Sequence, residues 1–301
     1  VERRALEKLL RDVISSRQRD LRRGVQRIGI TEPFLHSWTS RMLTQGEMGL
    51  AGAGWEPLEF LCAASDLDIV QVIWGKEKGG TYAGVKTAGE GNLDLGILLS
   101  EKVATIAATF TTNRVVSPSV SLSRDRVRKG TGRAVVANSG CANCGVGEQG
   151  LLDAREMADL AARHIDVDAE DVFVASTGLF GVELPMALIR QNIGNVRLSD
   201  RGGSEFAKSI MTSDTRPKEV AVSLEIDGHR LTVGGAAKGV GMIHPNMATM
   251  LCFISTDAAV EGQFLSTALK SVVDSSFNMI DVDGDQSTND TVLAMANGAA
   301  G

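Results

Sequence analysis

The most reactive arrangement in the sequence is a threonine, Thr249, which follows a loop that contains Gly241 and Pro245. Glycine and proline impose special backbone geometry, a common way to hold strain at a functional site. A strained bond between Ala248 and Thr249 invites the threonine hydroxyl to attack the preceding carbonyl, which gives an ester that water opens. Thr249 then becomes an N-terminal residue, and its freed α-amine, with an ordinary pKa of about 7.7 to 8, lies within reach of its own hydroxyl. One residue would supply nucleophile and base, although an unreactive loop leading into the apolar run 250–254 fits the spacing at least as well.

The other segments that resemble metal sites lack a complete set of ligands. The four cysteines are Cys62, Cys141, Cys144 and Cys252. They contain one C-x-x-C pair, and neither a second pair nor a nearby histidine completes a tetrahedral zinc site, so we expect small buried thiols in a reducing compartment. The run DVDGD at 281–285 begins like a calcium loop, but Gln286 and Val292 stand where that loop needs glycine and glutamate. The sequence therefore predicts neither a metal site nor a cofactor.

Short apolar runs separated by glycine and asparagine turns predict the strands of a layered sheet from about residue 75 onwards. The runs lie at 93–99, 103–110, 134–137, 172–175, 220–226, 229–233, 250–254 and 291–296, and two of them stop at the turn residues 138–140 and 176–178. Helices are predicted at 154–165 with Asp153 as the cap, after Pro185, at 204–212 and at 262–277. Asp227-Gly228 is typical of a two-residue hairpin turn. This mixture of hairpins and helices favours an α+β fold over a doubly wound parallel sheet.

The composition describes an ordinary core and surface and excludes two classes of partner. The chain has 301 residues, of which 43% are hydrophobic and 23% charged, enough for one large layered domain or two modest ones. A net charge of −6, with no basic stripe interleaved with aromatics in the main body, argues against nucleic acid. No apolar run reaches the about 18 residues of a membrane helix, and the charged start lacks the apolar stretch of a signal peptide. We expect a cytoplasmic protein without nucleic-acid or membrane partners.

Residues 1–24 are the one basic stretch of the chain. Ala5, Leu9 and Val13 mark a single apolar face, so we predict a solvated amphipathic helix, with contact to nucleic acid as the alternative. A start without methionine, and an end directly after an apolar run, suggest that neither end is a natural terminus.

Six blocks of sequence occur in the order found in one known family. They are FTTNR at 110–114, NSGCAN at 138–143, STG at 176–178, TSDTRPK at 212–218, KGVGMIHPNMATML at 238–251 and VDGDQSTNDT at 282–291. From about residue 75 to its end the chain resembles the glutamate N-acetyltransferase family, also called ornithine acetyltransferase, of arginine biosynthesis. The resemblance implies a layered α/β/β/α sandwich of the kind shared with self-cleaving aminopeptidases. The chain stops before the family's later acidic, asparagine and threonine ligands, so we expect a truncated C-terminal part.

The resemblance also implies a role for particular residues. Thr249 would accept an acetyl group from N2-acetylornithine and pass it to glutamate by a ping-pong route. Thr177 and Gly178 match the family's oxyanion-hole pair, a hydroxyl and a backbone N–H placed where negative charge develops. Thr215 and Lys238 match substrate-binding positions, as does Thr249, and a fixed ammonium suits a substrate carboxylate. The family implies a dimer of cleaved α/β heterodimers, and the residues leave open whether acetyl-CoA is also a donor.

The expected organisation has three parts. Residues 1–74 form an extension unlike the family, 75–248 the α-chain region and 249–301 the start of the β-chain region. We assign no catalytic role to the carboxylates of the block at 282–291. A self-cleaving aminopeptidase-type hydrolase, which would release the acyl group to water, and an incomplete fragment without activity are the alternatives; Lys238 and Thr215 favour the transferase.

Overall fold

A computed structural model describes residues 77–86, 92–226, 229–243 and 250–300. Within these ranges the chain forms eight strands and five α-helices. The strands are β1 (Glu77–Thr81), β2 (Leu95–Phe110), β3 (Thr131–Cys141), β4 (Val172–Leu179), β5 (Lys218–Ile226), β6 (His229–Lys238), β7 (Leu251–Thr256) and β8 (Thr291–Ala296). The helices are α1 (Pro118–Val127), α2 (Gln149–Ile165), α3 (Met186–Asn192), α4 (Gly203–Ser209) and α5 (Gly262–Asp274).

The strands form one mixed sheet in the order β4-β3-β2-β8-β7-β6-β5, and β1 pairs with the first part of β2. The pairs β3–β4 and β7–β8 are parallel, and the other pairs are antiparallel. Each parallel pair is connected through a helix, α2 in the first case and α5 in the second, as parallel strands require. Hairpins and helical crossovers therefore coexist in one sheet, which confirms the predicted α+β class.

Strand β2 divides the sheet into two halves. Its register with β3 shifts between Leu99 and Ala104, and the intervening Glu101, Lys102 and Val103 are exposed. The first half-sheet consists of β1, the start of β2, β3 and β4; the second half-sheet consists of the end of β2, β8, β7, β6 and β5. A bulge of this kind bends a strand, so the two half-sheets turn towards each other.

A shared apolar layer lies between the half-sheets. It contains Val135 and Phe173 of the first half-sheet together with Phe253 and Leu293 of the second. Phe206 of α4 enters the same layer, and its ring meets that of Phe253 edge to face at a centroid distance of 5.4 Å. On the outer faces, α2 and α3 pack on the first half-sheet and α5 on the second. This is the α/β/β/α layering that the sequence resemblance implies.

Several local predictions need correction. The runs 93–99 and 103–110 form the single strand β2 instead of two strands. The strands predicted at 134–137 and 172–175 continue through the supposed turn residues 138–140 and 176–178, because β3 and β4 keep pairing there. Asp153 does not cap a helix: α2 begins at Gln149, and Asp153 lies inside it, accepting a hydrogen bond from the Gln149 side chain at 2.7 Å.

Other predictions are confirmed or lie outside the described residues. The helix after Pro185 and the strand at 291–296 are present as predicted. The helix at 1–24, the hairpin turn Asp227-Gly228 and the bond between Ala248 and Thr249 lie outside the described ranges. Among the described residues, every helix is too short or too polar to cross a membrane.

Candidate active site

The carboxyl ends of the parallel strands β3 and β4 meet at one edge of the first half-sheet, where Thr177 and Gly178 lie. Thr177 is buried, with 5% of its surface exposed, whereas Gly178 is exposed. Gly178 has a φ of 135°, in the region that favours glycine. A Cβ at this position would lie 2.2 Å from the carbonyl carbon of Gly140. The strands therefore approach too closely for another residue, and this approach fixes the backbone of the predicted oxyanion pair.

A turn at residues 83–86 packs onto the same edge. Buried Asp94 accepts hydrogen bonds from three backbone N–H groups of this turn, at 2.6, 2.7 and 3.1 Å. A Cβ on Gly140 would lie 2.5 Å from the Cα of Lys86, so the turn and the end of β3 are in close contact. Burial lowers the pKa of Lys86, against the opposite effect of Asp94 and Asp214. The turn thus places an amine within electrostatic range of Asp214.

Lys238 ends strand β6 and is buried, with only 4% of its surface exposed. Its Nζ donates a hydrogen bond to Oγ1 of Thr212 at 3.4 Å. Burial lowers the pKa of Lys238 to about 8, although the nearby carboxylates of Asp214 and Asp290 act in the opposite direction. Most lysines lie at the surface, so a buried amine near two carboxyl groups is unusual and makes Lys238 a candidate for binding or for proton transfer.

Asp214 ties its own turn to the end of β6. Its Oδ1 accepts hydrogen bonds from the Gly239 N–H at 2.9 Å and from the ammonium of Lys218. Burial alone would raise the pKa of Asp214, but these hydrogen bonds and the Lys218 charge outweigh it, so the pKa is lowered. Thr215 is the next residue in the turn, and its side chain is exposed. Thr215 therefore directly follows a carboxylate whose charge also acts on Lys238, the other predicted substrate-binding residue.

Asp290 lies directly before strand β8 and is fully buried. Its Oδ1 accepts a hydrogen bond from the Met250 N–H at 3.0 Å, whereas its buried Oδ2 has no hydrogen-bond partner among the described residues. Burial raises the pKa of Asp290 to about 8, against the Met250 hydrogen bond, neighbouring hydroxyl groups and the charge of Lys238. The buried carboxyl group of Asp290 is thus hydrogen-bonded to Met250, the residue that follows Thr249 in the chain.

The neighbouring residue Asn289 connects this point to β4, the strand that carries the predicted oxyanion pair Thr177 and Gly178. Its Nδ2 donates to the carbonyl oxygen of Ala142 at 2.6 Å and to that of Ser176 at 2.9 Å. Ser176 directly precedes Thr177 on β4. The structure therefore joins the predicted oxyanion pair to the strand that begins after Thr249, although the two segments belong to different half-sheets.

Ala248 and Thr249 themselves lie outside the described residues, but the chain is described on both sides of them. Before them, the N–H groups of Met242 and Ile243 donate to the carboxylate of Asp283 at 2.5 and 2.8 Å. The calcium-like run at 281–285 thus uses a carboxylate to hold the backbone of the loop. In the described parts of the chain, no three potential ligand side chains lie close enough together to hold a metal ion.

The described cysteines fit the expectation of small buried thiols. Cys141, Cys144 and Cys252 are buried and have free thiol groups. Burial raises the pKa of Cys252 to about 12, so its reactive thiolate form is absent at neutral pH. Cys62 lies outside the described residues.

Sequence reasoning missed Asp214 and Asp290 as neighbours of the site. It gave the carboxylates of the block at 282–291 no catalytic role, and in the block at 212–218 it selected Thr215 alone. One signal for Asp290 was available in the sequence, because an aspartate stands directly before the apolar run 291–296. Burial of a carboxyl group at the start of a buried strand costs free energy unless a partner compensates for it.

We predict that Asp290 makes the stability of the protein fall as the pH rises from about 5 to about 7. With a pKa raised from its ordinary value of 3.8 to about 8, the folded protein keeps a proton that the unfolded chain has lost in this range. The free energy of unfolding should therefore fall by up to about 1.4 kcal/mol per pH unit through this group. Lys238, whose pKa is lowered from 10.5 to about 8, contributes only above that range.

Denaturant unfolding at several pH values in this range checks the prediction. Asp290→Asn should lose the pH dependence that Asp290 contributes, whereas Asp285→Asn, the same change at an exposed position of the same loop, should behave as the wild type does. Equal slopes for all three proteins would show that Asp290 titrates normally.

The profile of the ArgJ family matches residues 77–301. The arginine biosynthesis bifunctional protein ArgJ of Dehalococcoides mccartyi (strain CBDB1) is 50% identical over 226 residues, which are 75% of this chain and 56% of that protein. A glutamate N-acetyltransferase of Methanocaldococcus jannaschii is 49% identical over 218 residues, 70% of this chain and 54% of that protein. The chain spans about half the length of these relatives.

Solved structures show the same fold. Ornithine acetyltransferase from Mycobacterium tuberculosis, complexed with ornithine, superposes with a TM-score of 0.53 at 32% identity, over 60% of this chain and 95% of that chain. An ArgJ protein from Bacillus halodurans gives a TM-score of 0.53 at 33% identity, over 59% of this chain and 91% of that chain. With the fold, the ordered blocks and the profile in agreement, this chain belongs to the ArgJ family.

Proposed function

We propose that this protein is an acetyltransferase of arginine biosynthesis that cuts itself between Ala248 and Thr249 and then moves an acetyl group from N2-acetylornithine to glutamate. The observation that carries the proposal is the buried pair Lys238 and Asp290, which lies on either side of the start of β7. Asn289, the neighbour of Asp290, ties this point to the end of β4. The names of the relatives, glutamate N-acetyltransferase and ornithine acetyltransferase, support the reaction and its substrates.

In the proposed cleavage, the Thr249 hydroxyl attacks the carbonyl carbon of Ala248. The bond from that carbon to the Thr249 nitrogen breaks, and the nitrogen leaves as an amine while an ester forms. Water then opens the ester, so that Ala248 ends in a carboxylate and Thr249 regains its hydroxyl. The freed amine is the base for the later steps.

In the proposed transfer, the hydroxyl attacks the acetyl carbonyl of acetylornithine, and the Thr249 amine takes up the hydroxyl proton. The same amine returns the proton to the departing ornithine nitrogen, which leaves acetyl-Thr249. The amino group of glutamate then attacks this ester, and the proton it loses returns to the threonine oxygen. One proton-carrying group therefore serves both halves of a ping-pong reaction.

We assign oxyanion stabilisation to the Thr177 hydroxyl and the Gly178 N–H. Negative charge develops on the carbonyl oxygen in each of these steps, and donors that are fixed in advance stabilise it without reorganising. The close contact of Gly178 with Gly140 supports this role, because it leaves the backbone at this point little freedom to move.

We assign binding of the substrate carboxylate to Lys238 and Thr215. A buried ammonium attracts a carboxylate more strongly than an exposed one does, since less water competes. Beside it, the carboxylate of Asp214 forms an ion pair with Lys218. Because Lys218 already neutralises this carboxylate, the Lys238 ammonium is available to the substrate. In this proposal, cleavage divides residues 75–248 from residues 249–301, and the assembly is a dimer of the cleaved heterodimers.

Incubation of the purified protein with N2-acetylornithine and labelled glutamate tests the proposed function. We expect labelled N-acetylglutamate that depends on both substrates, because the acetyl group must first be loaded on Thr249. Release of acetate in the absence of glutamate would indicate a hydrolase, and failure of a cleaved protein to transfer or release acetate would contradict the proposal. A parallel incubation with acetyl-CoA in place of acetylornithine decides whether it is also a donor.

The variant Lys238→Met tests the substrate-binding assignment in the same assay. It should raise the KM for glutamate by about tenfold or more, since a charged hydrogen-bond partner is lost. Lys270→Met, the same change at an exposed position of α5, is the matched control and should leave that KM unchanged. A KM for glutamate equal to that of the wild type in Lys238→Met would remove Lys238 from the binding site.

A further inference from the structure

Two adjacent side chains, Asn289 and Asp290, hold two different strand ends. Asn289 donates from Nδ2 to the carbonyl oxygen of Ser176, at 2.9 Å, and so to the residue before Thr177. Asp290 accepts from the Met250 N–H at 3.0 Å, at the residue after Thr249. Because the two residues are consecutive, one peptide unit connects β4, which carries the proposed oxyanion pair, with the start of β7, which follows Thr249.

The backbone around this pair is itself held firmly. The Thr111 hydroxyl donates to the carbonyl oxygen of Ser287 at 2.6 Å, and the Thr111 N–H donates to that of Asp290 at 2.9 Å. The Ser117 N–H donates to the carbonyl oxygen of Thr288 at 3.0 Å. Asn289 and Asp290 are buried, with 6% and 0% of their surfaces exposed. A buried segment with fixed carbonyl groups at both ends cannot shift without breaking several hydrogen bonds.

The side chains of Asn289 and Asp290 match the backbone groups that they bind. Asn289 faces two carbonyl oxygens, which need a donor with two N–H bonds, as its amide has. Asp290 faces a backbone N–H, which needs an acceptor. The aspartate isostere of Asn289 would lose both of its bonds, whereas the asparagine isostere of Asp290 keeps an oxygen for the Met250 N–H.

We propose that Asn289 and Asp290 are positioning residues that set the distance between the oxyanion pair and the nucleophile, through Ser176 on one side and Met250 on the other. The inference rests on the proposed function, since it assigns a role in that reaction to two residues outside the proposed nucleophile, oxyanion and substrate groups. Neither residue needs to touch the substrate, because each acts through a main-chain atom next to a reacting residue. A displacement of about 1 Å at a reacting group can cost about 10²-fold in rate.

The test compares Asn289→Asp, Asp290→Asn and Asp290→Ala in the complete chain. We expect self-cleavage to slow by about 10²-fold in Asn289→Asp and in Asp290→Ala, and by less than about tenfold in Asp290→Asn, which keeps the acceptor. Asp285→Asn, an exposed position in the same loop, is the control and should cleave as the wild type does. In acetyl transfer, Asn289→Asp should lose kcat while the KM for glutamate stays within about twofold, because Lys238 and the two carboxyl groups near it are untouched.

Amide hydrogen exchange gives a second readout that does not depend on activity. The Met250 amide should exchange about tenfold faster in Asp290→Ala than in the wild type, and Asp290→Asn should restore its protection. Wild-type cleavage rates in both Asn289→Asp and Asp290→Ala would overturn the inference. If the wild type itself is not cut, the proposed function fails, and unchanged Met250 exchange in Asp290→Ala then separately decides against the positioning role.

Discussion

Thr249→Ala is expected to leave the chain intact between Ala248 and Thr249, because the substitution removes the hydroxyl that attacks the preceding carbonyl. Thr249→Val is the sharper variant, since it has the shape of threonine and β-branching but no hydroxyl, and it should also remain intact. Thr249→Ser keeps a hydroxyl and should retain part of the cleavage. Denaturing electrophoresis separates one chain from two, and N-terminal sequencing of the smaller product identifies the bond.

The same three variants distinguish chemistry from folding. Cooperative thermal unfolding of both Thr249→Val and Thr249→Ser would show that the loss of cleavage follows the hydroxyl and not the packing. Cleavage of Thr249→Val at the same bond would mean that another group, or a contaminating protease, performs the cut.

Thr177→Val is expected to slow acetyl transfer by about 10²- to 10³-fold, the usual cost of removing one oxyanion donor. Thr177 is buried on β4, and valine fills the same volume with similar strand preference, so the fold should be retained. Thr177→Ser restores the donor and should recover much of the rate, and Thr177→Ala should resemble Thr177→Val in rate. Single-turnover loading of the acetyl group on Thr249 is the measurement that isolates this step.

The oxyanion assignment also predicts which kinetic constant changes. A donor that acts only when charge develops should lower kcat and leave the KM for acetylornithine nearly unchanged. If Thr177→Val instead raised KM at constant kcat, Thr177 would be a binding residue, and an unchanged rate in Thr177→Val would exclude the hydroxyl from the reaction.

Local patterns in the sequence were sufficient for those parts of the fold that depend on neighbouring residues. The apolar run 291–296 forms β8 with the predicted bounds, because a buried strand needs only continuous apolar residues between polar ends. The α+β class followed in the same way from the mixture of hairpin and helical patterns. Thr177 and Gly178 were identified by similarity to a family; they lie at the end of β4, and their role as an oxyanion pair stays a prediction.

Features that depend on distant parts of the chain were not predictable in this way. Gly178 was expected in a turn, but it lies in β4, because β3 continues to pair with it. The burial of Lys238 results from its pairing with Leu251 and from the turn that holds Asp214. Asp290 meets Met250 only because β7 and β8 are parallel neighbours. Each of these positions depends on a contact between residues far apart in sequence, for which a single sequence carries no direct signal.

Strands β6 and β7 pair from Val233 with Thr256 to Lys238 with Leu251, and the proposed cleavage site lies in the segment that connects them. Cutting this segment turns a hairpin into a contact between two separate polypeptides without removing any bond of the ladder. The cleaved native state arises from a single folded precursor chain. Once it unfolds, its two polypeptides must associate again before it can refold. Its melting temperature should therefore depend more steeply on protein concentration after cleavage than before, and denaturation of the mature form should be far less reversible than that of the precursor.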